Sequence, residues 1–329
     1  MPDGQLYADL LAQLAAHAIL SPDLPDETFE TTLRALWLTA AGTPCSPRLA
    51  QTLPLPELTQ THQAALMILV ERRIAGVLLA HITGRTNFMG LELHAAPGVL
   101  VPRAETEILG NAVVSAAREE YAGRSPLLIV EIGCGSGNLA CGIAARIPEA
   151  RMYAIDVAAE CVELTRENAD EYRLTERVTV LHGDLFLPLR GRGLEESVDL
   201  VVSNPPYIPS GKLASDHSHL VKSEPRAAFD GGPFGFSIHH RLINESLAFL
   251  RPRGSLLFEF GLGQDQQVRM LFSRSGGYEP VRFEADEAGR NRIARARRLP
   301  HKRRGRKCQV SIIRHQPVTD PAPRPSIRL

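Results

Sequence analysis

The chain has 329 residues, 44% of them hydrophobic, with 37 basic and 37 acidic side chains, enough length and apolar content for about two domains with real cores. No apolar stretch reaches membrane-spanning length and the N-terminus lacks a charged-then-apolar leader pattern, so a cytoplasmic protein with no membrane contact is expected. The five cysteines (Cys45, Cys134, Cys141, Cys161, Cys308) form no C-x-x-C pair and are odd in number, which argues against a disulfide framework and points to no metal site.

In chain order, Leu6, Leu10 and Leu14 share one helical face, and Phe29, Leu33, Leu36 and Trp37 share another. Proline-containing breaks at 22–25, 44–47 and 54–56 separate these segments, and a third helix is expected over residues 58–81. Residues 1–90 read as a small helical bundle, and from Gly98 onward strands and helices alternate as in a doubly wound sheet. An apolar run, 127–132, enters Gly133-Cys134-Gly135-Ser136-Gly137-Asn138, and 139–146 then reads as a helix. Glycines let the backbone approach a ligand closely and take positive φ. The spacing is G-x-G-x-G, with Asn138 where a dinucleotide fold places its third glycine. Cys134 reads as a small residue in a tight turn. A second strand, 152–156, ends in Asp156, 19 residues beyond Gly137. An acid there can accept hydrogen bonds from both ribose hydroxyls of an adenosine. A third strand, 178–181, leads to His182-Gly183-Asp184 and sets another carboxylate at the same edge.

Residues 198–203 form an apolar run that reads as a buried strand and stops at Asn204-Pro205-Pro206-Tyr207. Two prolines cannot continue a sheet ladder, so the chain turns there. The Asn204 side-chain oxygen and the Pro205 carbonyl are left at the carboxyl edge, where open α/β folds bind ligands. Two rigid acceptor oxygens beside a cofactor suit chemistry on an NH2 group. A late strand is expected over 254–260 and a helix over about 264–274.

Neutrality hides an asymmetry. Residues 1–289 carry 24 basic and 36 acidic side chains, whereas 290–329 carry 13 basic ones and only Asp320 among the acids. The stretch 290–307 holds ten Arg or Lys and no acid, and reads as a solvated, partly disordered tail. Weak RNA contact through phosphates is the alternative. Residues 317–325, rich in proline, read as an unfolded end.

The glycine turn, Asp156, Asp184 and Asn204-Pro205-Pro206-Tyr207 together resemble the class I S-adenosylmethionine-dependent methyltransferases, among which N-P-P-Y marks enzymes that methylate planar nitrogens. Three further stretches narrow the likeness. Pro102-Arg103-Ala104-Glu105-Thr106-Glu107 is similar to the P-R-P-E-T-E segment of protein-(glutamine-N5) methyltransferases of the HemK/PrmC type. Glu224-Pro225-Arg226-Ala227-Ala228-Phe229 with Gly231 to Gly235, and Asp286-Glu287-Ala288-Gly289-Arg290-Asn291-Arg292, resemble two later signatures of that family. The resemblance runs in order from about Arg72 to Arg298. It implies a Rossmann-like, doubly wound α/β methyltransferase sheet preceded by a small helical bundle. Residues 1–90 would recognise the substrate, 91–299 would form the catalytic domain, and 300–329 would be a basic, proline-rich tail.

The resemblance also implies S-adenosylmethionine as cofactor, held by Glu131, Gly133, Gly135, Gly137, Asp156, Asp184 and Asn204. Asn204, Pro205, Pro206 and Tyr207 would be catalytic. Arg103, Glu105, Thr106, Glu107, Glu224 and Pro225 would meet a protein substrate. That substrate would be a glutamine, most typically in the Gly-Gly-Gln loop of a peptide chain release factor; a sister branch acts on a ribosomal protein. Two places depart from the pattern: Ala104 replaces a proline, and 76–84 lacks the G-x-P-x-x-Y form, with His81 near the tyrosine position. An adenine-N6 methyltransferase acting on RNA or DNA also carries N-P-P-Y. The acidic body and the scarcity of aromatics for stacking a flipped base argue against it. An intact Asn204-Pro205-Pro206-Tyr207 argues against a scaffold that binds cofactor without catalysis, and the motif set argues against an NAD-dependent oxidoreductase.

Overall fold

Leu10 and Leu14, one turn apart, are buried on one face of α1 (Gly4–His17), whereas α2 (Phe29–Ala40), with seven buried residues, is covered over most of its circumference. Helix α2 starts at Thr28, where Thr28 and Thr31 exchange side-chain and backbone bonds in a reciprocal cap. The proline-containing stretch that follows holds a one-turn helix, α3 (Pro47–Ala50), begun by the Ser46 hydroxyl with Pro47 in first position. The helix expected over 58–81 is two helices, α4 (Gln60–Ile74) and α5 (Leu79–Thr83). Gly76 at φ +91° separates them, because a left-handed residue cannot continue a right-handed helix. Leu33, Leu36, Trp37, Leu66 and Leu79 give these helices a core of their own.

A hairpin then intervenes, β1 (Arg85–Phe88) and β2 (Leu91–His94), turning at Met89 and Gly90 with φ of 48° and 78°. Paired positive φ values are what a two-residue hairpin needs, and Met89 in place of Asn or Asp conceals the signal. Helix α6 (Thr106–Glu120) leads into the main sheet. There follow β3 (Leu127–Ile132), α7 (Asn138–Arg146), β4 (Ala150–Asp156), α8 (Ala159–Glu171), β5 (Val178–His182) and β6 (Val198–Ser203). The chain continues through α9 (Ser210–Ala214), α10 (Ser237–Glu245), β7 (Leu250–Glu259), α11 (Asp265–Ser275), β8 (Arg282–Ala285) and β9 (Asn291–Arg297). This computed structural model describes residues 4–215 and 220–300.

The sheet order is β5-β4-β3-β6-β7-β9-β8, parallel from β5 to β7, with β9 antiparallel to both its neighbours. Residues of α6 and α7 join the core on one face of the sheet, and residues of α10 and α11 join the core on the other. Strands covered on both faces read as unbroken apolar runs, and every residue of β6 is buried. Even Asp199 is fully buried, its carboxylate accepting from Arg124, Arg251 and the Leu128 N–H.

Register positions the site. Ile155 is level with Ile132, Ile132 with Ser203, and Ser203 with Phe258. The next residues in each chain segment, Asp156, Gly133, Asn204 and Glu259, therefore stand in a row at the carboxyl ends of four adjacent strands. Strand order reverses between β3 and β6, the switch point where open sheets leave a crevice.

The first part of the basic stretch 290–307 is not a solvated tail, because residues 291–297 form β9 within the sheet. Arg292 is only 4% exposed, Arg295 and Arg297 pair with Glu120, and Arg298 pairs with Glu196. Their acidic partners are distant in sequence, so the run looks unpaired when read alone. The remainder of that stretch, the proline-rich end, Cys308 and any RNA contact lie outside the described residues. No helix among the described residues is long and apolar enough to cross a membrane.

Candidate active site

Two cavities meet at the row of strand ends. The first, about 240 Å³, is lined by Gly133, Gly135, Asp156, Asp184, Asn204 and Pro205, with Ile132, Ile155, Leu185 and Ile238 as apolar walls. The turn after β3 wraps against β4, with the Gly133 and Cys134 N–H groups both donating to the Ile155 carbonyl, 2.8 and 3.0 Å. A Cβ on Gly133 or Gly135 would meet no atom within 4 Å, so bare backbone faces open space. Gly137 has a different task. Its Cβ would stand 2.7 Å from Thr165 Cγ2, and the missing side chain lets α7 and α8 approach.

Asp156 closes the turn from the β4 side. Its Oδ2 accepts the Gly135 N–H and its Oδ1 the Ala158 N–H, each at 2.9 Å. A carboxylate offers about four acceptor positions, so two remain beyond these backbone bonds, one of them shared with the weak Cys161 thiol donor, and both residues line the cavity. Asp184 lines the same cavity but is held by both nitrogens of the Arg241 fork, at 3.0 and 2.8 Å. Glu131 is beneath the turn and does not line the cavity; it is 1% exposed. Burial holds its carboxyl well above the usual range, and the neighbouring Asp156 charge adds to that against a backbone hydrogen bond from Ala140. Its Oε2 has no hydrogen-bond partner among the described residues. Burial likewise pushes up the Cys134 thiol, with Glu131 and Asp156 adding, so it remains an un-ionised small side chain.

The second cavity, about 370 Å³, lies on the other side of Asn204 and Pro205. Arg103, Glu105, Tyr207, Glu259, Gln264 and Arg292 line it, while Leu100, Asn204, Pro205 and Ala228 line both cavities. Beneath Asn204 runs a hydrogen-bonded chain. Asn204 Nδ2 donates to Thr106 Oγ1 at 2.9 Å, and Thr106 Oγ1 donates to Glu259 Oε2 at 2.9 Å. Tyr207 donates its hydroxyl to Glu259 Oε1 at 3.2 Å, and Arg292 Nη2 reaches the same oxygen at 3.3 Å and Glu105 Oε2 at 2.6 Å. Burial pushes the Glu259 carboxyl up, opposed by the Arg292 charge and the Thr106 hydroxyl. Burial, and then the Glu259 charge, push the Tyr207 phenol up, so Tyr207 acts here as a neutral donor. Gln264 fixes the backbone of the same turn by donating to the Tyr207 carbonyl at 3.0 Å.

Two segments cover the site. Glu224 accepts the Val101 N–H at 2.8 Å and pairs with Arg103, tying residues 100–103 to the loop that carries Pro225, Ala227 and Ala228. Among the residues expected to meet a substrate, Arg103 and Glu105 face the second cavity and Pro225 the first, while Glu224 is the buried tie. Thr106 is 2% exposed and lies under Asn204, and Glu107 turns away to accept the Met89 N–H at 2.6 Å. Helix α6 begins at Thr106, and consecutive residues there point about 100° apart, in keeping with the different directions of Thr106 and Glu107.

Sequence reasoning left Glu259, Arg292, Gln264 and Arg241 out of the site. Glu259 carried a usable signal, since it ends an apolar strand just as Asp156 does. Arg292 closes a motif noted above, whereas nothing local marks Gln264 or Arg241.

Residues 114–234 match the methyltransferase small domain family. The chain is 36% identical to the release factor glutamine methyltransferase of Moorella thermoacetica over 88% of this chain and 95% of that protein. It is 36% identical to the corresponding Caulobacter vibrioides protein over 73% of this chain and 80% of that one. A Bradyrhizobium diazoefficiens protein of the same name is 32% identical over 83% of this chain and 90% of its own length.

Proposed function

The chain belongs to the release factor glutamine methyltransferase family, and from that premise we infer that it transfers a methyl group from S-adenosylmethionine to a glutamine side-chain amide in a peptide chain release factor. The observation that carries the reading is Asn204-Pro205 standing between two cavities, one suited to a nucleoside and one open to a side chain. Bare glycine backbone, the remaining acceptor positions of Asp156 and the apolar walls suit S-adenosylmethionine in the first cavity. When bound, that cofactor supplies a methyl group on a positively charged sulfur.

A carboxamide nitrogen is a poor nucleophile because its lone pair is delocalised into the carbonyl. We assign the Asn204 side-chain oxygen and the Pro205 carbonyl to accept its two hydrogens. Those bonds strengthen as positive charge develops on nitrogen, which lowers the barrier to transfer. Holding the nitrogen where the cavities meet supplies the alignment. Pro206 keeps the turn rigid. Tyr207, its hydroxyl engaged by Glu259, forms a wall of the second cavity. The proton leaves to water after transfer. Arg103 and Glu105 are assigned to the entrance that the incoming side chain crosses. Asp23 also lines the second cavity, which supports assigning substrate recognition to residues 1–90.

The test is transfer from labelled S-adenosylmethionine to a purified release factor beside its Gly-Gly-Gln variant carrying Gln→Ala. Label on the intact factor alone is expected. Equal labelling of both would refute the glutamine assignment, and no label on either would refute the release factor as substrate.

A further inference from the structure

We propose that Thr106 and Glu259 are positioning residues that decide which end of the Asn204 side-chain amide faces the substrate. The proposal rests on the glutamine-methyltransfer reading above and deepens it. An Asn amide has an acceptor end and a donor end of nearly equal shape, and its orientation follows from its partners. For the reaction, the acceptor end must face the incoming NH2 group. A reversed Asn204 would set NH2 against NH2 and accept nothing.

The hydrogen-bonded chain under Asn204 settles the polarity one proton at a time. Paired with Arg292 at 3.3 Å and receiving the Tyr207 and Thr106 hydroxyls, Glu259 serves as a carboxylate that only accepts, so the single Thr106 proton is committed to Oε2 at 2.9 Å. Thr106 Oγ1 is then left as an acceptor toward Asn204, which must present Nδ2, at 2.9 Å. Oδ1 thereby faces outward. Thr106 and Glu259 are each 2% exposed, so Thr106 finds its partners within the protein, while Glu259 also borders the second cavity. Neither borders the first cavity, so neither is expected to touch the cofactor.

The arrangement also predicts what an isosteric change does. Two donors, Arg292 Nη2 and the Tyr207 hydroxyl, converge on Glu259 Oε1, at 3.3 and 3.2 Å. In Glu259→Gln the amide oxygen stays with those donors and the NH2 end turns toward Thr106. Thr106 then accepts from residue 259, and its proton, released from Oε2, is free to point toward Asn204, which favours turning the Asn204 amide over. One proton's worth of change, with shape preserved, inverts the group that meets the substrate.

The experiment measures kcat, KM for the release factor and binding of S-adenosylhomocysteine in Thr106→Val, Thr106→Ser and Glu259→Gln. Loss of an oriented group at the reacting centre lowers kcat on the order of 100-fold, which is expected for Thr106→Val and Glu259→Gln. Binding and KM should stay within about threefold, and Thr106→Ser, which keeps the hydroxyl, should stay near wild type. A readout independent of turnover is 15N–1H exchange of the Asn204 side-chain amide with S-adenosylhomocysteine present. One Nδ2 proton should be protected in wild type and in Thr106→Ser, and protection should vanish in Thr106→Val. Fast exchange of both protons in wild type, or kcat in both inactivating variants within threefold of wild type, would overturn the proposal. If wild type labels no glutamine, the functional reading fails while the exchange measurement still decides the polarity. If a variant fails to fold, the wild-type exchange decides alone.

Discussion

Replacing Asp156 by alanine should uncouple cofactor binding from the rest of the fold. In the structure each Asp156 oxygen accepts one backbone N–H at 2.9 Å, and the remaining acceptor positions, one shared with the weak Cys161 thiol donor, belong to a carboxylate that lines the first cavity. Two ribose hydroxyls can take those positions. A hydrogen bond to a charged group contributes about 1.5–3 kcal/mol. Water enters a half-open cavity and offsets part of this, so the lower figure applies to each bond, about 3 kcal/mol for both. That corresponds to roughly 100-fold weaker binding. Calorimetric titration of S-adenosylhomocysteine into wild type and Asp156→Ala measures it. The turn also loses an acceptor for two N–H groups, about 1–2 kcal/mol of apoprotein stability, which a parallel denaturation series reads separately. A dissociation constant within threefold of wild type, in a variant that is folded, would refute the assignment of Asp156 to the ribose.

Three other outcomes are expected. Asn204→Ala should lower the methyl-transfer rate at least about 100-fold while cofactor binding, followed by titration, stays within a few fold; normal transfer would sink the mechanism. Gly137→Ala forces an L-residue to φ +76° with its Cβ 2.7 Å from Thr165 Cγ2. Backbone strain and overpacking together should cost about 2–4 kcal/mol in urea unfolding, and an unchanged midpoint would mean that α8 yields freely. Glu131 has its folded pKa raised by burial, so its contribution to stability is full below the unfolded value near 4.5 and is lost as pH rises through the folded value. Glu131→Gln cannot ionise, so its stability relative to wild type should grow between pH 5 and pH 8; a difference that does not vary with pH would contradict the burial argument.

The catalytic sheet was legible in the sequence because its strands are covered on both faces. Strands such as 127–132 and 198–203 are mostly apolar, and each runs into a residue whose chemistry or backbone is distinctive. What escaped was held together across long separations. Thr106 reaches Glu259 across 153 residues, and Arg292 reaches Glu105 across 187. No local pattern encodes such a meeting, so the motif alone points Thr106 at the substrate, whereas it lies beneath Asn204. The basic run misled for the same reason, since the acids that neutralise Arg295 and Arg298 come from α6 and from the loop before β6. The β1–β2 hairpin escaped because Met89 occupies a left-handed position usually filled by Gly, Asn or Asp.

The late strand β9 has a consequence for the order in which the protein is made. Arg292 emerges 33 residues after the Glu259 it neutralises. At synthesis rates of about 5–20 residues per second, the interval lasts a few seconds. During it, β7 lacks its outer neighbour and presents unpaired N–H and C=O groups to the surroundings. A carboxylate that will be sealed inside must meanwhile remain hydrated or protonated. The site therefore gains the Arg292–Glu259 pair only once β9 is in place, and until then the open edge of β7 is the surface on which pairing with another chain is to be expected.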